Sequence, residues 1–261
     1  MKNKKFNVYT TAAIKAARIG GAVLEGYFNS KLNIGYKGRI DPVTIADKSS
    51  QQAIITFLGK KFPSHAFIGE EDGLKQACSD YCWIIDPLDG TVNFIHGVPF
   101  FCVSIGLLYK GKIIAGAVYA PCLNELFAAQ KGSGAWLNGK KIKVSRESKL
   151  VRSLVVTGFP YDIDSGTGRI MKSLASVIVN VQGVRRLGSA ALDLAYVSCG
   201  RFEAFWEKGL QPWDVAAGAI MVEEAGGKVT DYAGGKGYVF GKTLIATNGR
   251  VHAPMKALIN I

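Results

Sequence analysis

The sequence lacks any apolar run of about 20 residues, the length that a membrane-spanning helix requires. Residues 1–6 carry lysines but have no apolar segment behind them. A secretory signal peptide needs such a segment. We therefore predict neither a membrane span nor a signal peptide, and we expect the protein to stay in the cytoplasm.

Cysteines that could form a disulfide framework are also lacking. The five cysteines are an odd number and are spread through apolar surroundings, which is typical of reduced, buried thiols. Cys78 and Cys82 are separated by three residues, but no second Cys or His pair follows at the spacing of zinc ligands. The pattern argues against both disulfides and a zinc site.

Acidic residues are few: 20 Asp and Glu stand against 32 Lys and Arg, for a formal net charge of +12. Such a charge attracts anionic ligands, whether small phosphates, nucleic acid or acidic lipid head groups. The basic clusters are short and are not interleaved with aromatic residues that could stack on bases. Each cluster is therefore interpreted as a solvated surface, and charge alone does not choose among the ligands.

The first half of the chain predicts helices packed on an antiparallel sheet. Apolar residues repeat at helical spacing over 10–28 and 46–62, and the turn-rich segment 35–42 between them predicts a hairpin or a mobile loop. Short apolar runs typical of strands follow at 66–68, 82–85, 102–109, 113–119 and 126–129. Residues 109–112 and 137–140 have the composition of tight hairpin turns.

After about residue 145 strands alternate with helices. Strands are predicted at 154–157 and 202–206, and helices near 169–178, at 189–198 and from Pro212 through Ala225. We predict an N-terminal half, 1–145, and a C-terminal half, 146–261. The two halves are expected to form one unit with a cleft between them, where ligand sites commonly lie.

The residues most informative about chemistry follow the predicted strand at 82–85. Asp86 and Asp89 come directly after it, and Gly90 and Thr91 follow. Mg²⁺ is usually held by a few carboxylates together with waters and substrate phosphate. Gly90 allows close backbone approach, and a helix that begins at Thr91 would direct free amides at an anion. The alternative is that Asp-Pro and Asp-Gly are ordinary turn formers.

Two further acidic segments bear on that choice. Glu70 and Glu71 follow the strand at 66–68, and Asp214 lies at a proline-marked helix start. Taken singly, the first is interpreted as a solvated acidic loop and the second as a carboxylate in the first turn of a helix.

Taken together, the three segments resemble the signatures of the inositol monophosphatase family. They are Glu70-Glu71, Asp-Pro-Leu-Asp-Gly-Thr at 86–91 and Trp-Asp-Val-Ala-Ala-Gly at 213–218, and the similarity extends from residue 37 to residue 227. Separated motifs that match in order are more specific than any one alone. The resemblance implies an α+β fold, layered as an α/β/α/β/α sandwich, and a homodimer. It also implies hydrolysis of phosphate monoesters with two or three Mg²⁺ ions and inhibition by Li⁺.

The resemblance also implies roles for individual residues. Glu70, Asp86 and the Leu88 carbonyl would hold a first ion, and Asp86, Asp89 and Asp214 a second. Glu70 would help with a weak third ion through water, Glu71 would support the metal shell, and Thr91, oriented by Asp47, would activate the attacking water. The predicted catalytic residues are thus Asp47, Glu70 and Thr91. By the same resemblance the N-terminal half, 1–145, would carry most metal ligands, and the C-terminal half, 146–261, would carry Asp214 and the substrate-recognition residues. The number of ions stays open, because the loop around Lys37 varies across the family.

For the substrate, the resemblance indicates Asp89, Gly90, Thr91, Ser189, Ala190 and Glu207. Gly90 and Thr91 would hold the phosphate, and the carboxylates would accept hydrogen bonds from a polyol. Arg185 or Arg186 would reach the site, and His96 is interpreted as a positioning or surface residue. The expected reaction is hydrolysis of myo-inositol 1-phosphate. The alternatives are fructose 1,6-bisphosphatase or broader sugar-phosphate phosphatase activity and, in another class, an RNA- or protein-binding regulator.

Overall fold

The computed structural model describes residues 6–30, 34–36, 42–72, 79–160 and 167–260. The predictions that concern Cys78 and the loop at 37–41 fall outside these ranges. Within them, Cys82, Cys102, Cys122 and Cys199 are free thiols. The prediction that the cysteines are mostly buried is wrong for these four, because Cys102 is buried, Cys82 and Cys199 are half-buried and Cys122 is exposed.

Two long helices cover one face of the N-terminal half. They are α1 (Val8–Tyr27) and α2 (Ile45–Lys61), and both begin within two residues of the predicted positions. The buried side of α1 is made of small residues, including Ala12, Ala13, Ala16 and Ala17. Small side chains allow close approach, and α1 packs directly against α2 and the sheet beneath it.

That sheet has seven strands in chain order. They are β3 (Ala66–Gly69), β4 (Tyr81–Asp89), β5 (Cys102–Tyr109), β6 (Lys112–Ala120), β7 (Glu125–Gln130), β8 (Gly134–Leu137) and β9 (Lys140–Ile142). All neighbours pair antiparallel except β3, which is parallel to β4. The sheet is therefore mixed at one edge, where the sequence predicted an antiparallel arrangement throughout.

The two predicted hairpin turns are confirmed. Lys110 and Gly111 have φ of 49° and 75° between β5 and β6, and Asn138 and Gly139 have φ of 46° and 80° between β8 and β9. Positive φ at both central residues is the requirement of the type I′ turn that matches the twist of paired strands.

A second, five-stranded sheet forms the C-terminal half. Its strands are β10 (Leu154–Thr157), β11 (Gly183–Arg185), β12 (Ala204–Lys208), β13 (Lys228–Thr230) and β14 (Thr243–Thr247). Across the sheet they lie in the order β11-β10-β12-β14-β13. The accompanying helices are α4 (Thr167–Ile178), α5 (Ala190–Ser198), α6 (Pro212–Glu224) and α7 (His252–Ile259). Strand β10 is parallel to both of its neighbours, whereas β14 is antiparallel to β12 and β13.

Five layers result. Helices α5 and α6 lie between the two sheets and contribute to the apolar clusters on both sides. Helices α1 and α2 cover the outer face of the larger sheet, and α4 and α7 cover the outer face of the smaller one. The predicted α+β fold with α/β/α/β/α layering is confirmed. Among the described residues, no helix combines the length and apolar character needed to cross a bilayer.

The remaining elements are short. Strands β1 (Gly35–Tyr36) and β2 (Pro42–Val43) pair as the arms of a hairpin, and α3 (Thr91–Ile95) follows β4 directly. Single 3₁₀ turns occupy Leu150–Arg152 and Gly237–Val239.

Candidate active site

Strand β4 brings two carboxylates to its end through a bulge. The sequence predicted a tight turn after residue 85, but β4 continues to Asp89, with a register shift between Asp86 and Asp89. Pro87 has no N–H to donate, and the Leu88 N–H donates to Asp86 Oδ1 at 3.0 Å instead of to β5. The bulge therefore releases residues 87 and 88 from the ladder and fixes the Asp86 carboxylate.

Gly90 makes the change from strand to helix. Its φ is +97°, and a Cβ there would lie 3.1 Å from the Phe100 carbonyl oxygen. Glycine suits this position because it adopts a positive φ without strain and has no Cβ to approach the Phe100 carbonyl oxygen. The chain then enters α3 with Thr91 as the first residue of the helix.

A third carboxylate comes from the other side of the cleft. Asp214 lies in the first turn of α6, where its Oδ2 accepts the Gln211 N–H at 2.7 Å in a capping box. Asp86, Asp89 and Asp214 each offer one oxygen, and these oxygens all lie within 4.8 Å of one another. Asp86 and Asp89 are buried, and Asp214 is half-buried. The family resemblance implied that this same trio would hold one ion.

Burial raises the pKa of Asp86 well above its ordinary value, and the charges of Glu70, Asp89 and Asp214 raise it further. The pKa of Asp214 is raised well above its usual range by burial and by Asp89. Burial also raises the pKa of Asp89, against the lowering effect of its hydrogen bonds. Carboxylates that repel one another at this distance need a cation to ionise together. A divalent ion with oxygen ligands fits this donor set.

Glu70 joins the cluster at the end of β3. Its N–H donates to the Ile85 carbonyl at 3.1 Å, and its carboxyl is hydrogen-bonded to Asp86. Gln51 of α2 holds the loop that follows, because its amide accepts the Glu71 N–H at 3.1 Å and donates to Asp72 at 3.0 Å. No motif in the sequence marked Gln51, since a glutamine within a helix carries no signal of its own.

Thr91 and Asp47 are brought together as the resemblance implies. The Thr91 hydroxyl lies 3.3 Å from Asp47 Oδ1 and 3.0 Å from the Leu88 carbonyl oxygen, and it can donate to either. Asp47 Oδ2 accepts the Thr44 N–H at 2.8 Å and the Thr44 hydroxyl at 2.7 Å. The capping box of α2 thus fixes Asp47 and leaves its other oxygen facing Thr91.

Asp89 connects the two halves of the molecule. Its Oδ2 accepts the Ser189 hydroxyl at 2.5 Å and the Ala191 N–H at 2.8 Å, at the start of α5. Nearby, the Asn93 amide donates to the carbonyls of Phe100 at 2.7 Å and Leu187 at 2.8 Å. These bonds hold the 187–191 segment against the end of β4. No motif pointed to the Asn93 contribution.

Glu207 lies on the opposite wall, near the end of β12. A Cβ at Gly158 would lie only 2.1 Å from Glu207 Oε2, so the missing side chain at 158 makes room for the carboxylate. Burial raises the pKa of Glu207 to about 8, and the Asp89 charge adds to this while Arg186 opposes it. Neither Gly158 nor its relation to Glu207 follows from any sequence motif.

Two other side chains lie on this wall: Asp193, which the predicted contacts do not include, and Arg186, one of the two arginines expected to reach the site. Asp193, in the first turn of α5, is 1% exposed. Its pKa is raised well above the usual range by burial, then by the charges of Glu207 and Asp89, against Arg186. Arg186 is exposed at the cleft, whereas Arg185 is directed to the Val184 carbonyl, so Arg186 is the arginine that reaches the site.

The predicted residues converge on a single cleft. It is lined by Glu70, Asp86, Leu88, Asp89, Gly90, Thr91, Ser189, Ala190, Glu207 and Asp214. Asp47 is buried beneath Thr91, and Glu71 lies on the Gln51-supported loop beside Glu70. His96 is exposed at the end of α3, in agreement with its interpretation as a surface residue.

Comparison with known proteins agrees with this geometry. The family model described as "Inositol monophosphatase family" matches residues 6–260. An inositol-1-monophosphatase of Mesorhizobium japonicum is 42% identical over 93% of this chain and 91% of its own. Nus factor SuhB of Pseudomonas aeruginosa is 42% identical over 90% of each chain. The solved inositol monophosphatase of Anabaena superimposes with a TM-score of 0.87 at 43% identity, covering 96% of this chain and 94% of that one. The chain therefore belongs to the inositol monophosphatase family.

Proposed function

We propose that the protein hydrolyses myo-inositol 1-phosphate, or a closely related polyol phosphate, to the free alcohol and inorganic phosphate. The family supplies the phosphatase chemistry, and relatives named inositol monophosphatase supply the substrate class. The observation that carries the proposal is the cluster of Asp86, Asp89 and Asp214 in the same cleft as the Thr91–Asp47 pair.

Asp86, Asp89 and Asp214 are proposed to hold one Mg²⁺, and Glu70, Asp86 and the Leu88 carbonyl a second. A weaker third ion near Glu70 and inhibition by Li⁺ belong to the same proposal. When bound, Mg²⁺ neutralises phosphate charge and lowers the pKa of water, which makes water a nucleophile at neutral pH. Glu71 is proposed to support the ligands from its loop.

The chain's own residues orient the reactants. The Thr91 hydroxyl is proposed to donate its hydrogen bond to Asp47, so that a lone pair of the Thr91 oxygen accepts a hydrogen bond from the attacking water. The Gly90 and Thr91 amides are proposed to hold phosphate oxygens. Glu207 is proposed to accept substrate hydroxyls, together with Asp89 and the Ser189–Ala190 segment, whose position the Asp89 hydrogen bonds fix.

Phosphate release from inositol 1-phosphate, fructose 1,6-bisphosphate and a nucleoside bisphosphate, each with Mg²⁺ and with EDTA, tests the proposal. We expect Mg²⁺-dependent turnover that is fastest with inositol 1-phosphate. Faster turnover of fructose 1,6-bisphosphate would favour the sugar-phosphatase alternative, for which Arg186 offers a cation at the cleft. The proposal would be refuted if none of the three substrates released phosphate in an Mg²⁺-dependent manner.

A second candidate function rests on the relative named Nus factor SuhB and on the net charge of +12. An RNA- or protein-binding regulator would bind its partner saturably even when Asp86 is replaced by Asn. Binding that disappears with moderate salt would indicate only electrostatic attraction.

We also propose that the protein is a homodimer, as the family resemblance implies. Met171, Ile178 and Val179, in and just after α4, are exposed apolar side chains that a partner could cover. Light scattering coupled to gel filtration distinguishes a dimer from a monomer.

A further inference from the structure

Asp193 is a buried carboxyl in the wall of the cleft with an unused hydrogen-bonding oxygen. It is 1% exposed, and its Oδ1 has no hydrogen-bond partner among the described residues. It lines the cleft together with Arg186, Ala190 and Glu207. Buried polar atoms in folded proteins are nearly always hydrogen-bonded, because burial without a partner is costly. Within the part of the chain that the structure describes, Asp193 Oδ1 is therefore left to be satisfied by a group bound in the cleft.

The neighbours of Asp193 narrow the kind of partner. The charges of Glu207 and Asp89 both act on Asp193. Asp193 and Glu207 are therefore two carboxyls close together in the cleft. The Asp193 and Glu207 carboxyls repel an anionic group of the substrate, although the charge of Arg186 opposes them, and an apolar group would leave the Asp193 oxygen unsatisfied. Hydroxyl groups fit, because each can donate to a carboxylate or accept from a carboxylic acid.

Asp193 is also placed differently from the carboxyls at the metal cluster. It is absent from the set whose oxygens lie within 4.8 Å of one another, which consists of Asp86, Asp89 and Asp214. It lies three residues beyond Ala190, and Glu207 is the first of the charges that act on its carboxyl. Its position suits the alcohol part of a substrate and not the reacting phosphate.

We propose that Asp193 is a specificity-determining residue that hydrogen-bonds a hydroxyl of the substrate alcohol beside the hydroxyl taken by Glu207. The two carboxyls together select an alcohol that presents more than one hydroxyl at this end of the cleft. The inference rests on the proposed function, since it assigns part of the recognition of a polyol phosphate.

The test compares kcat/KM for two substrates, inositol 1-phosphate and 4-nitrophenyl phosphate, which has no hydroxyl on its leaving group. For Asp193→Ala we expect a loss of about tenfold to a hundredfold with inositol 1-phosphate, the range for a hydrogen bond to a charged group, and less than about twofold with 4-nitrophenyl phosphate. Asp193→Asn, which keeps the shape and one acceptor, should lose less than the alanine variant. The loss should appear mainly in KM, because the contact exists before the reaction begins.

Ser198→Ala is the matched control. Ser198 is also buried on α5, but its hydroxyl donates to the Ala195 carbonyl of its own helix. It should leave the ratio of the two kcat/KM values unchanged. Should Asp193→Ala fail to fold, as judged by circular dichroism, Asp193→Asn alone decides by the same ratio.

Equal losses with both substrates, or no loss with either, would overturn the specificity role of Asp193 while leaving the proposed function intact. Wild-type protein that hydrolyses neither substrate would overturn the proposed function and this inference with it. A selective loss with inositol 1-phosphate supports both.

Discussion

The two ends of the cleft are built in opposite ways. At the end with the proposed metal ligands, called the metal end, Asp86, Asp89 and Asp214 each accept a backbone N–H of the chain, from Leu88, Ala191 and Gln211. At the alcohol end, Asp193 has an oxygen with no hydrogen-bond partner among the described residues. Hydrogen bonds that fix a carboxylate preorganise it for a ligand of constant geometry. The difference indicates that one end is set for the common chemistry and the other is available for a particular alcohol.

The largest expected effect lies at the metal end. Asp86→Asn and Asp214→Asn should each lower kcat by about a thousandfold or more, since each removes a charged ligand from the site of reaction. Phosphate release at saturating Mg²⁺ measures it. Asp80→Asn is the control, because Asp80 is exposed and forms a surface ion pair with Lys110 at 3.5 Å. Near-normal turnover in either cleft variant would show that the fixed carboxylates are not the metal ligands.

Thr91→Ala addresses the same end without removing a ligand charge. We expect kcat to fall about a hundredfold with KM within about twofold of the wild-type value, since the hydroxyl is proposed to orient water and not to bind the alcohol. Thr91→Ser keeps the hydroxyl and should retain most of the rate. A change confined to KM would mean that Thr91 binds the substrate and does not orient the attacking water, so the metal end would also contribute to substrate binding.

Much of this division could be predicted from the sequence at the metal end and little of it at the alcohol end. Asp86, Asp89 and Asp214 lie in motifs whose order identifies the family, and the expected strand at 102–109 agrees with β5. The bulge in β4 was not predicted, because an Asp-Pro and an Asp-Gly pair also describe a turn.

Gly158 and Asp193 were missed for a physical reason. The role of Gly158 depends on Glu207, which is distant in sequence. Asp193, considered without its neighbours in the cleft, is an ordinary carboxylate in the first turn of a helix. Strands β11, β13 and β14 escaped prediction similarly. They are three to five residues long and are defined by pairing across the sheet instead of by local pattern.

Gly158→Ala tests the alcohol end through its packing. The added Cβ would lie 2.1 Å from Glu207 Oε2, so the carboxylate must move. We expect KM for inositol 1-phosphate to rise about tenfold, as for a lost hydrogen bond to a charged group, with kcat for 4-nitrophenyl phosphate nearly unchanged. Gly59→Ala, where a Cβ would meet nothing within 4 Å, is the control. Equal effects on both substrates would mean that Glu207 also acts at the metal end.

The smallest expected effect is on stability, and it distinguishes the ends by their response to Mg²⁺. The folded-state pKa values of Asp86, Asp214 and Glu207 are raised above those of the unfolded chain, to about 8 for Glu207. The folded protein therefore binds more protons than the unfolded chain at pH values between the two pKa values. Its stability in EDTA should fall as the pH rises from about 4, the unfolded pKa, through the folded pKa values.

Thermal unfolding at pH 5.5 and pH 7.5, with EDTA and with Mg²⁺, measures this dependence. Mg²⁺ should raise Tm by several degrees at pH 7.5 and by less at pH 5.5, because protons compete with the ion for the same carboxylates. Asp86→Asn should be at least as stable as the wild type in EDTA at pH 7.5, since it removes one repelling charge, but should respond less to Mg²⁺. Asp193→Asn should keep the full response, because its carboxyl is not in the ligand set. An equal loss of the Mg²⁺ response in both variants would mean that Asp193 also binds the ion. It would contradict the distinction between the carboxylates held by backbone N–H groups and Asp193.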